Sequence, residues 1–109
     1  MLKFISFGSG SSGNCYFLYT ETDGLIIDCG VGIRALNKNF FNYGLHLSQI
    51  RHILITHDHA DHVKSVGSLA ASCQCAVYST ELVHEGIQRN WYVRKKIEPA
   101  YRRLLEKNI

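Results

Sequence analysis

Three histidines and two aspartates stand close together in the segment HDHADH, directly after an apolar, β-branched run that begins at Ile50. Such a run predicts a buried strand, and successive side chains at a strand end point in opposite directions. Residues two apart therefore point to the same side, so His57 and His59 can turn toward one point. The loop that follows brings Asp61 and His62 to an adjacent point. This part of the chain is predicted to fold as a strand, a polar loop and a helix.

The residue types in this loop are those that bind divalent metal ions. Imidazole nitrogen suits zinc and other first-row ions, and a carboxylate adds charge neutralisation and a proton acceptor for metal-bound water. A bound dication lowers the pKa of that water toward about 7, so hydrolysis needs no serine or cysteine nucleophile. The alternative is a solvated loop whose histidines cap the next helix. The density of ligands at a strand-to-helix connection favours two neighbouring metal sites.

Strands and helices are predicted to alternate along the chain. Short apolar or period-two patterns predict strands at residues 2–7, 15–19, 25–28, 50–56 and 76–78. Helical spacing predicts helices at residues 33–44, 63–70 and 82–87, the last with Ser79 or Thr80 as its N-cap. A final apolar stripe predicts one more helix, with Pro99 in its first turn; its members are Ile97, Tyr101, Leu104 and Leu105.

Length and composition limit the class of protein. A chain of 109 residues has room for one domain, and 46% hydrophobic residues are enough for a packed core. The aliphatic runs are far shorter than the roughly 20 residues of a membrane-spanning helix, and the N-terminus lacks the apolar stretch of a secretory signal. We therefore expect a cytoplasmic protein whose four cysteines form no disulfides.

The HDHADH segment matches the H-x-H-x-D-H signature of the metallo-β-lactamase superfamily. Three further segments resemble the WalJ/YycJ-type branch of it: FISFGSGSSGNCY at residues 4–16, IIDCG at 26–30 and VHEGI at 83–87. Members of this branch are linked to DNA exonuclease activity. The resemblance covers nearly the whole chain and implies an α/β fold. This would be the N-terminal half of an αββα sandwich, with a mixed, largely antiparallel sheet and helices packed on it.

The resemblance also implies roles for the residues of the cluster. His57 and His59 would help hold one ion, and Asp61 and His62 the second. Asp61 would also accept a proton from the attacking water, which makes it the expected catalytic residue. Two further acids would support the ligands without binding the ion: Asp28 and Asp58. The expected cofactor is a divalent metal, with zinc favoured, manganese as the alternative and two ions in the intact parent.

The chain departs from the family pattern after the cluster. The family contributes a further histidine, a bridging aspartate and a last histidine from its second half. Here His84 is the only histidine after His62, and no aspartate follows Asp61. We expect His84 to be exposed or to cap a helix. Residues 1–109 are expected to form an incomplete, N-terminal half-domain with unpaired sheet edges and an uncovered apolar face. A truncated parent, a complementing C-terminal half and a swapped homodimer are all open.

The glycine-rich loop at residues 8–14 is one candidate for substrate binding. Glycines allow the close approach and the positive φ angles with which backbone amides cradle phosphate. The candidate residues are Ser11, Ser12 and Asn14. The alternative is a tight turn between strands. The resemblance alone places the loop near the metal site.

The basic end of the chain is the second candidate. Residues 86–109 carry seven Lys and Arg against two Glu, whereas residues 1–85 carry five against seven Asp and Glu. The candidates for contacts to a nucleic-acid backbone are Arg94, Lys95 and Lys96, while Trp91 and Tyr92 could stack on bases. A solvated amphipathic helix explains the same residues equally well.

The first functional hypothesis is a metal-dependent hydrolase whose intact parent cleaves DNA phosphodiester bonds as an exonuclease. We expect the 109-residue chain alone to be catalytically incomplete. Hydrolysis of a small thioester, lactone or lactam is the enzymatic alternative, because the metal motif does not specify the substrate. A non-catalytic half-domain that requires a partner chain, and a purely structural zinc site, are the alternatives from other classes.

Overall fold

A computed structural model describes residues 1–105 of the chain. Within them, six strands form one sheet in sequence order: β1 (Lys3–Gly8), β2 (Cys15–Tyr19), β3 (Gly24–Ile27), β4 (His52–Leu54), β5 (Ala76–Ser79) and β6 (Arg102–Leu104). The α-helices of this region are α1 (Ile33–Asn42), α2 (Ala60–Val63), α3 (Val66–Cys73) and α4 (Glu81–Arg89). Residues 106–109, the end of the predicted domain, lie outside the described residues.

The sheet is mixed. β1, β2 and β3 pair antiparallel, whereas β3, β4, β5 and β6 pair parallel to one another. The chain passes through α1, then α2 and α3, then α4 between successive parallel strands, and such crossovers return the next strand in the same direction. The predicted mixed sheet is confirmed. Its largely antiparallel character is wrong, because three of the five pairings in the described part are parallel.

One face of the sheet carries the core. Phe17, Ile26, Ile53 and Val77 lie on neighbouring strands and are buried, and the ring of Phe17 is 4.8 Å from that of Phe40 on α1. The residues that alternate with them on the other face are only half-buried; they include Leu18, Leu25, Leu54 and Tyr78. Within the described part, the helices thus cover one face and leave the apolar side chains of the other face partly exposed.

The end of the described chain differs from its predicted helix. Pro99–Tyr101 form one 3-10 turn, and β6 then pairs parallel with β5. Ile97 is buried, but Leu104 is exposed, so the apolar stripe does not lie on one helix face. The predicted helix is wrong because the free edge of β5 offers backbone partners. One such bond runs from the amide of Leu105 to the carbonyl of Ser79, at 2.9 Å.

The helix signals elsewhere are confirmed with small changes. The hydroxyl of Thr80 accepts a hydrogen bond from the amide of Val83 at 3.3 Å, so Thr80 is the N-cap of α4. The single helix predicted at residues 63–70 is divided into α2 and α3. Across residues 1–105, no helix has the length and apolar character needed to cross a membrane. The cytoplasmic location stays a prediction.

Candidate metal centre

Asp28 is the buried centre of the site. It follows β3 with a φ of 64°, in the left-handed region that aspartate tolerates better than most residues, and it is 3% exposed. Its amide donates to the carbonyl of Leu54 at 2.8 Å. Its carboxylate accepts three hydrogen bonds: from the amide of Thr56 at 2.8 Å, from the Thr56 hydroxyl at 2.7 Å and from Nδ1 of His62 at 2.7 Å. One carboxylate therefore joins the end of β3 to the loop that follows β4.

The hydrogen-bond partners assign the tautomers of two imidazoles. Nδ1 of His62 faces a carboxylate and must carry its proton. The Thr56 hydroxyl donates to Asp28, so at 2.9 Å it accepts from Nδ1 of His57. In both rings Nε2 is therefore the nitrogen that could bind a metal, and the ring centroids lie 4.6 Å apart. Such an outer partner on the second ring nitrogen is the usual arrangement for a metal-binding histidine.

Asp61 stands beside this pair and is held by the glycine-rich loop. Its Oδ2 lies 3.7 Å from Nε2 of His62. The backbone amide of Asn14 donates to the Asp61 carbonyl at 2.7 Å, and the Asn14 side chain donates to the same carbonyl at 3.1 Å and to Oδ2 at 3.3 Å. A Cβ built on Gly30 would overlap the Asp61 carbonyl, so the segment after β3 can approach Asp61 this closely only with glycine at position 30.

These contacts give the glycine-rich loop a structural role beside its predicted role in substrate binding. Asn14, a candidate for substrate binding, contacts Asp61 and lies 3.5 Å from Nε2 of His62, so its amide positions the cluster. Ser11 and Ser12 are exposed in the turn, and their substrate role stays a prediction.

His59 and Asp58 form the outer part of the cluster. The His59 side chain is 77% exposed, and its ring centroid is 6.4 Å from that of His57. Oδ1 of Asp58 is 3.9 Å from Nε2 of His59. The rest of the Asp58 side chain packs against Gly86 of α4, where an added Cβ would overlap its carboxylate. The ring of His57 thus lies closer to the ring of His62, at 4.6 Å, than to the ring of His59.

The donor atoms fit zinc. The site offers two imidazoles whose Nδ1 atoms are hydrogen-bonded, beside a carboxylate, and histidine nitrogens with a carboxylate are a common donor set for that ion. In the described residues, however, no three His, Cys, Asp or Glu side chains converge closely enough to hold an ion as they stand. The ligand assignments stay predictions.

The three basic candidates have different surroundings. Arg94 and Lys95 are exposed, and the Lys95 carbonyl packs on Gly67 of α3. The Nζ of Lys96 is occupied by the carbonyls of Ile87 and Asn90, at the C-terminal end of α4. A phosphate contact by Lys96 would therefore have to replace hydrogen bonds that close a helix.

Sequence reasoning missed two residues of the site and misjudged a third. Thr56 and Asn90 were given no role, although Thr56 directly precedes the cluster and Asn90 directly follows α4, both positions where polar side chains bond backbone or neighbours. His84 is not exposed as expected. It is 4% exposed, and its Nε2 lies 2.9 Å from the carbonyl of Arg103.

Comparison with known proteins identifies the family. A model of the metallo-β-lactamase superfamily matches residues 8–106. The chain belongs to the metallo-β-lactamase superfamily. That superfamily consists of metal-dependent hydrolases, and the resemblance stated from the HDHADH segment is confirmed.

Two curated relatives of this metallo-β-lactamase-type chain carry nuclease names. Exodeoxyribonuclease YycJ of Bacillus anthracis is 35% identical over 80 residues, which are 73% of this chain and 30% of that protein. Exodeoxyribonuclease WalJ of Streptococcus pneumoniae is 30% identical over 93 residues, which are 85% of this chain and 35% of that protein. The chain spans about a third of the length of the curated relatives it matches.

Solved metallo-β-lactamases share the fold. SMB-1, in complex with 2-mercaptoethanesulfonate, superimposes with a TM-score of 0.74 at 17% identity, over 93% of this chain and 43% of that one. The Rm3 metallo-β-lactamase gives a TM-score of 0.70 at 16% identity, over 88% and 34%. At this identity the likeness concerns the fold alone, and it confirms the predicted α/β class.

Proposed function

We propose that this chain is the metal-binding part of a hydrolase that removes nucleotides from DNA ends by cleaving phosphodiester bonds. The observation that carries the proposal is the buried carboxylate of Asp28, which holds Nδ1 of His62 directly and Nδ1 of His57 through Thr56. A side chain so deeply buried and so fully bonded keeps two imidazoles ready as ligands. The nuclease names of the two curated relatives and the basic residues near the chain end support DNA as the substrate.

In this proposal His57 and His59 help to hold one divalent ion, and Asp61 and His62 hold the second, with zinc favoured over manganese. A divalent ion held by these residues would supply the means of ionising a water molecule near neutral pH. Asp61 takes up the proton of the attacking water, since its carboxylate is half-buried beside His62 and its backbone is fixed by Asn14. Asp28 and Thr56 keep the ligand rings oriented, and this preorganisation avoids reorientation during the reaction.

We also propose that further ligands come from another segment of polypeptide, either in the same protein or in a second chain. The resemblance motivates this, because the family pattern calls for a later histidine and an aspartate, and no aspartate follows Asp61 here. A homodimer or a complementing C-terminal half would satisfy the same need.

The test measures release of nucleotides from an end-labelled single-stranded oligonucleotide by the complete protein loaded with zinc or manganese. His57→Ala should lower the rate at least about 100-fold, as expected for loss of a metal ligand. His52→Ala is the matched control, because His52 is an imidazole paired at 3.4 Å with Asp23 away from the cluster, and it should leave the rate unchanged.

Equal rates for the two variants, or hydrolysis that survives removal of metal, would contradict the proposal. A small thioester, lactone and lactam assayed in parallel test the enzymatic alternative, which predicts turnover of one of them and none of the oligonucleotide. Chelation that unfolds the protein, with no turnover of any substrate, would indicate a structural metal site.

A further inference from the structure

A groove of about 570 Å³ runs beside residues 57–62, the loop that carries the proposed metal ligands and is called the metal loop below. One wall is formed by Asp58 and His59, and the other by the C-terminal end of α4 and the residues after it, including Arg89, Trp91 and Tyr92. The groove therefore begins at an expected metal ligand and extends to an exposed pair of aromatic side chains. The proposed hydrolase activity assigns no function to it.

The aromatic pair forms a platform. The rings of Trp91 and Tyr92 are stacked, with centroids 4.3 Å apart and an interplanar angle of 28°. Trp91 is 76% exposed and Tyr92 56% exposed, although aromatic side chains of this size are usually well buried. Exposed aromatic faces beside cationic side chains are typical of proteins that bind single-stranded nucleic acid, because every base can stack on them.

Asn90 fixes the platform to the metal loop. Its Nδ2 donates to the carbonyl of Asp58 at 2.8 Å, and its Oδ1 accepts from the amide of Tyr92 at 3.0 Å. Lys96 holds the Asn90 carbonyl from the other side. The backbone that carries the two aromatic rings is thus hydrogen-bonded to the metal loop. This connection fixes the position of the rings relative to His59.

The charge around the platform suits a polyanion. Arg89 lines the groove and is exposed, and Arg94 and Lys95, which are also exposed, follow in sequence after the buried Val93. Asp58 is the one acidic residue among the described residues that line the groove, and its carboxylate lies next to Gly86 and His59. A phosphodiester backbone can therefore lie along the side of Arg89 while a base covers the platform.

We propose that this groove binds a single-stranded polynucleotide, with an unpaired base stacked on Trp91 and Tyr92 and a neighbouring phosphate on Arg89. The inference rests on the proposed function for the cleavage step, but it concerns binding and has its own readout. Asn90 is a positioning residue in this arrangement, since it places the platform relative to His59.

Trp91 is the single tryptophan of the chain, so its fluorescence reports on this groove. The experiment titrates the 109-residue chain, with zinc present, with a short phosphorothioate oligothymidylate that resists cleavage. A strand of the same length and charge without bases is the comparison. Stacking predicts strong quenching and tight binding for the first, and weaker binding with little quenching for the second.

The variants test the same geometry. Tyr92→Ala should weaken oligothymidylate binding about 5-fold or more, because stacking of a base on an aromatic ring is worth this much. Arg89→Gln should weaken binding of both strands and reduce its salt dependence. Phe41→Ala, which removes an aromatic ring of α1 that is even more exposed than Tyr92, should change nothing.

Three results would overturn the groove proposal: equal binding and quenching by the two strands, Tyr92→Ala binding like wild type, or burial of Trp91 by a second copy with no response to oligonucleotide. Failure of the proposed function is distinguishable. Base-dependent quenching without any hydrolysis by the complete protein would leave the groove standing and remove the nuclease. Hydrolysis by the complete protein that is unaffected by Tyr92→Ala would support the nuclease proposal and contradict the groove proposal.

Discussion

Oδ2 of Asp28 lies 2.7 Å from Nδ1 of His62 and accepts the Thr56 hydroxyl at the same distance. The Thr56 hydroxyl in turn accepts from His57, so a single buried oxygen atom orients two rings of the HDHADH segment. This arrangement explains why an acid 34 residues away in sequence belongs to the site. We therefore expect the metal affinity to depend on Asp28, although Asp28 is not one of the proposed ligands.

Replacement of Asp28 by Asn should lower zinc affinity about 10- to 100-fold. An amide group has one oxygen and one NH₂, so it cannot accept all the hydrogen bonds that both carboxylate oxygens accept now. Asp23→Asn is the control, because Asp23 is also paired with an imidazole but is exposed. The measurement is competition with a chromophoric chelator, on variants shown by circular dichroism to be folded.

The stability of the same variant gives a second test of the Asp28 network. A buried acceptor converted to a donor leaves a neighbouring group unsatisfied, which costs about 1–3 kcal/mol. Urea unfolding without metal should show this loss for Asp28→Asn and not for Asp23→Asn. Unchanged zinc affinity in a folded Asp28→Asn protein would contradict the role assigned to the carboxylate.

The Thr56 hydroxyl carries the connection from Asp28 to His57. Thr56→Val keeps the shape of the side chain but removes the hydroxyl, so it should free the His57 ring and weaken zinc binding several-fold, roughly 10-fold. Thr56→Ser retains the hydroxyl and should stay within about 2-fold of wild type. Calorimetric titration of zinc into the three proteins measures the difference, and similar affinities for Val and Ser would show that His57 needs no such partner.

The sequence predicted the parts of the fold that depend on local pattern. The approximate positions of the first five strands, the Thr80 cap and the position of the histidine cluster follow from periodicity and residue type within short segments. The parallel pairings of β3 with β4, β4 with β5 and β5 with β6 depend on which strand edge is free when each crossover returns to the sheet. The strand after Pro99 forms for the same reason. Contacts such as Asn90 to Asp58 join residues 32 apart, and local pattern gives no signal for them.

Gly86 allows α4 to approach the metal loop, and its substitution should reverse the usual effect of alanine. Glycine in a helix interior normally costs roughly 0.5–1 kcal/mol relative to alanine. Here an added Cβ would overlap the Asp58 carboxylate, so Gly86→Ala should destabilise the protein by about 1–3 kcal/mol.

Gly32 supplies the comparison for Gly86. It precedes α1 with a φ of −59°, and a Cβ built there meets nothing within 4 Å. Gly32→Ala should therefore change the free energy of unfolding by less than about 1 kcal/mol in either direction. Urea unfolding of both variants decides the point, and a stabilised Gly86→Ala protein would mean that α4 and Asp58 do not pack as described.

The buried thiol of Cys15 predicts a loss of stability in alkaline solution. Burial, and secondarily the charge of Asp28, raise the pKa of Cys15 from 9.0 to about 12. The folded state then holds this proton more tightly than the unfolded state. The stabilisation is complete below pH 9 and is lost as pH rises from 9 toward 12. Between pH 9 and pH 10 this one thiol should lower the free energy of unfolding by about 1 kcal/mol.

Cys15→Ala should reduce the slope of stability against pH above pH 9 without abolishing it. Burial also raises the pKa of Cys29 well above its ordinary value, so that thiol continues to contribute. The slope rather than the absolute stability is compared, because the smaller side chain leaves a cavity that lowers stability at every pH. Guanidinium unfolding at intervals from pH 8 to pH 10, under reducing conditions, gives both slopes. Identical slopes would show that Cys15 ionises as freely in the folded chain as in the unfolded one, and would contradict its burial beside Asp28.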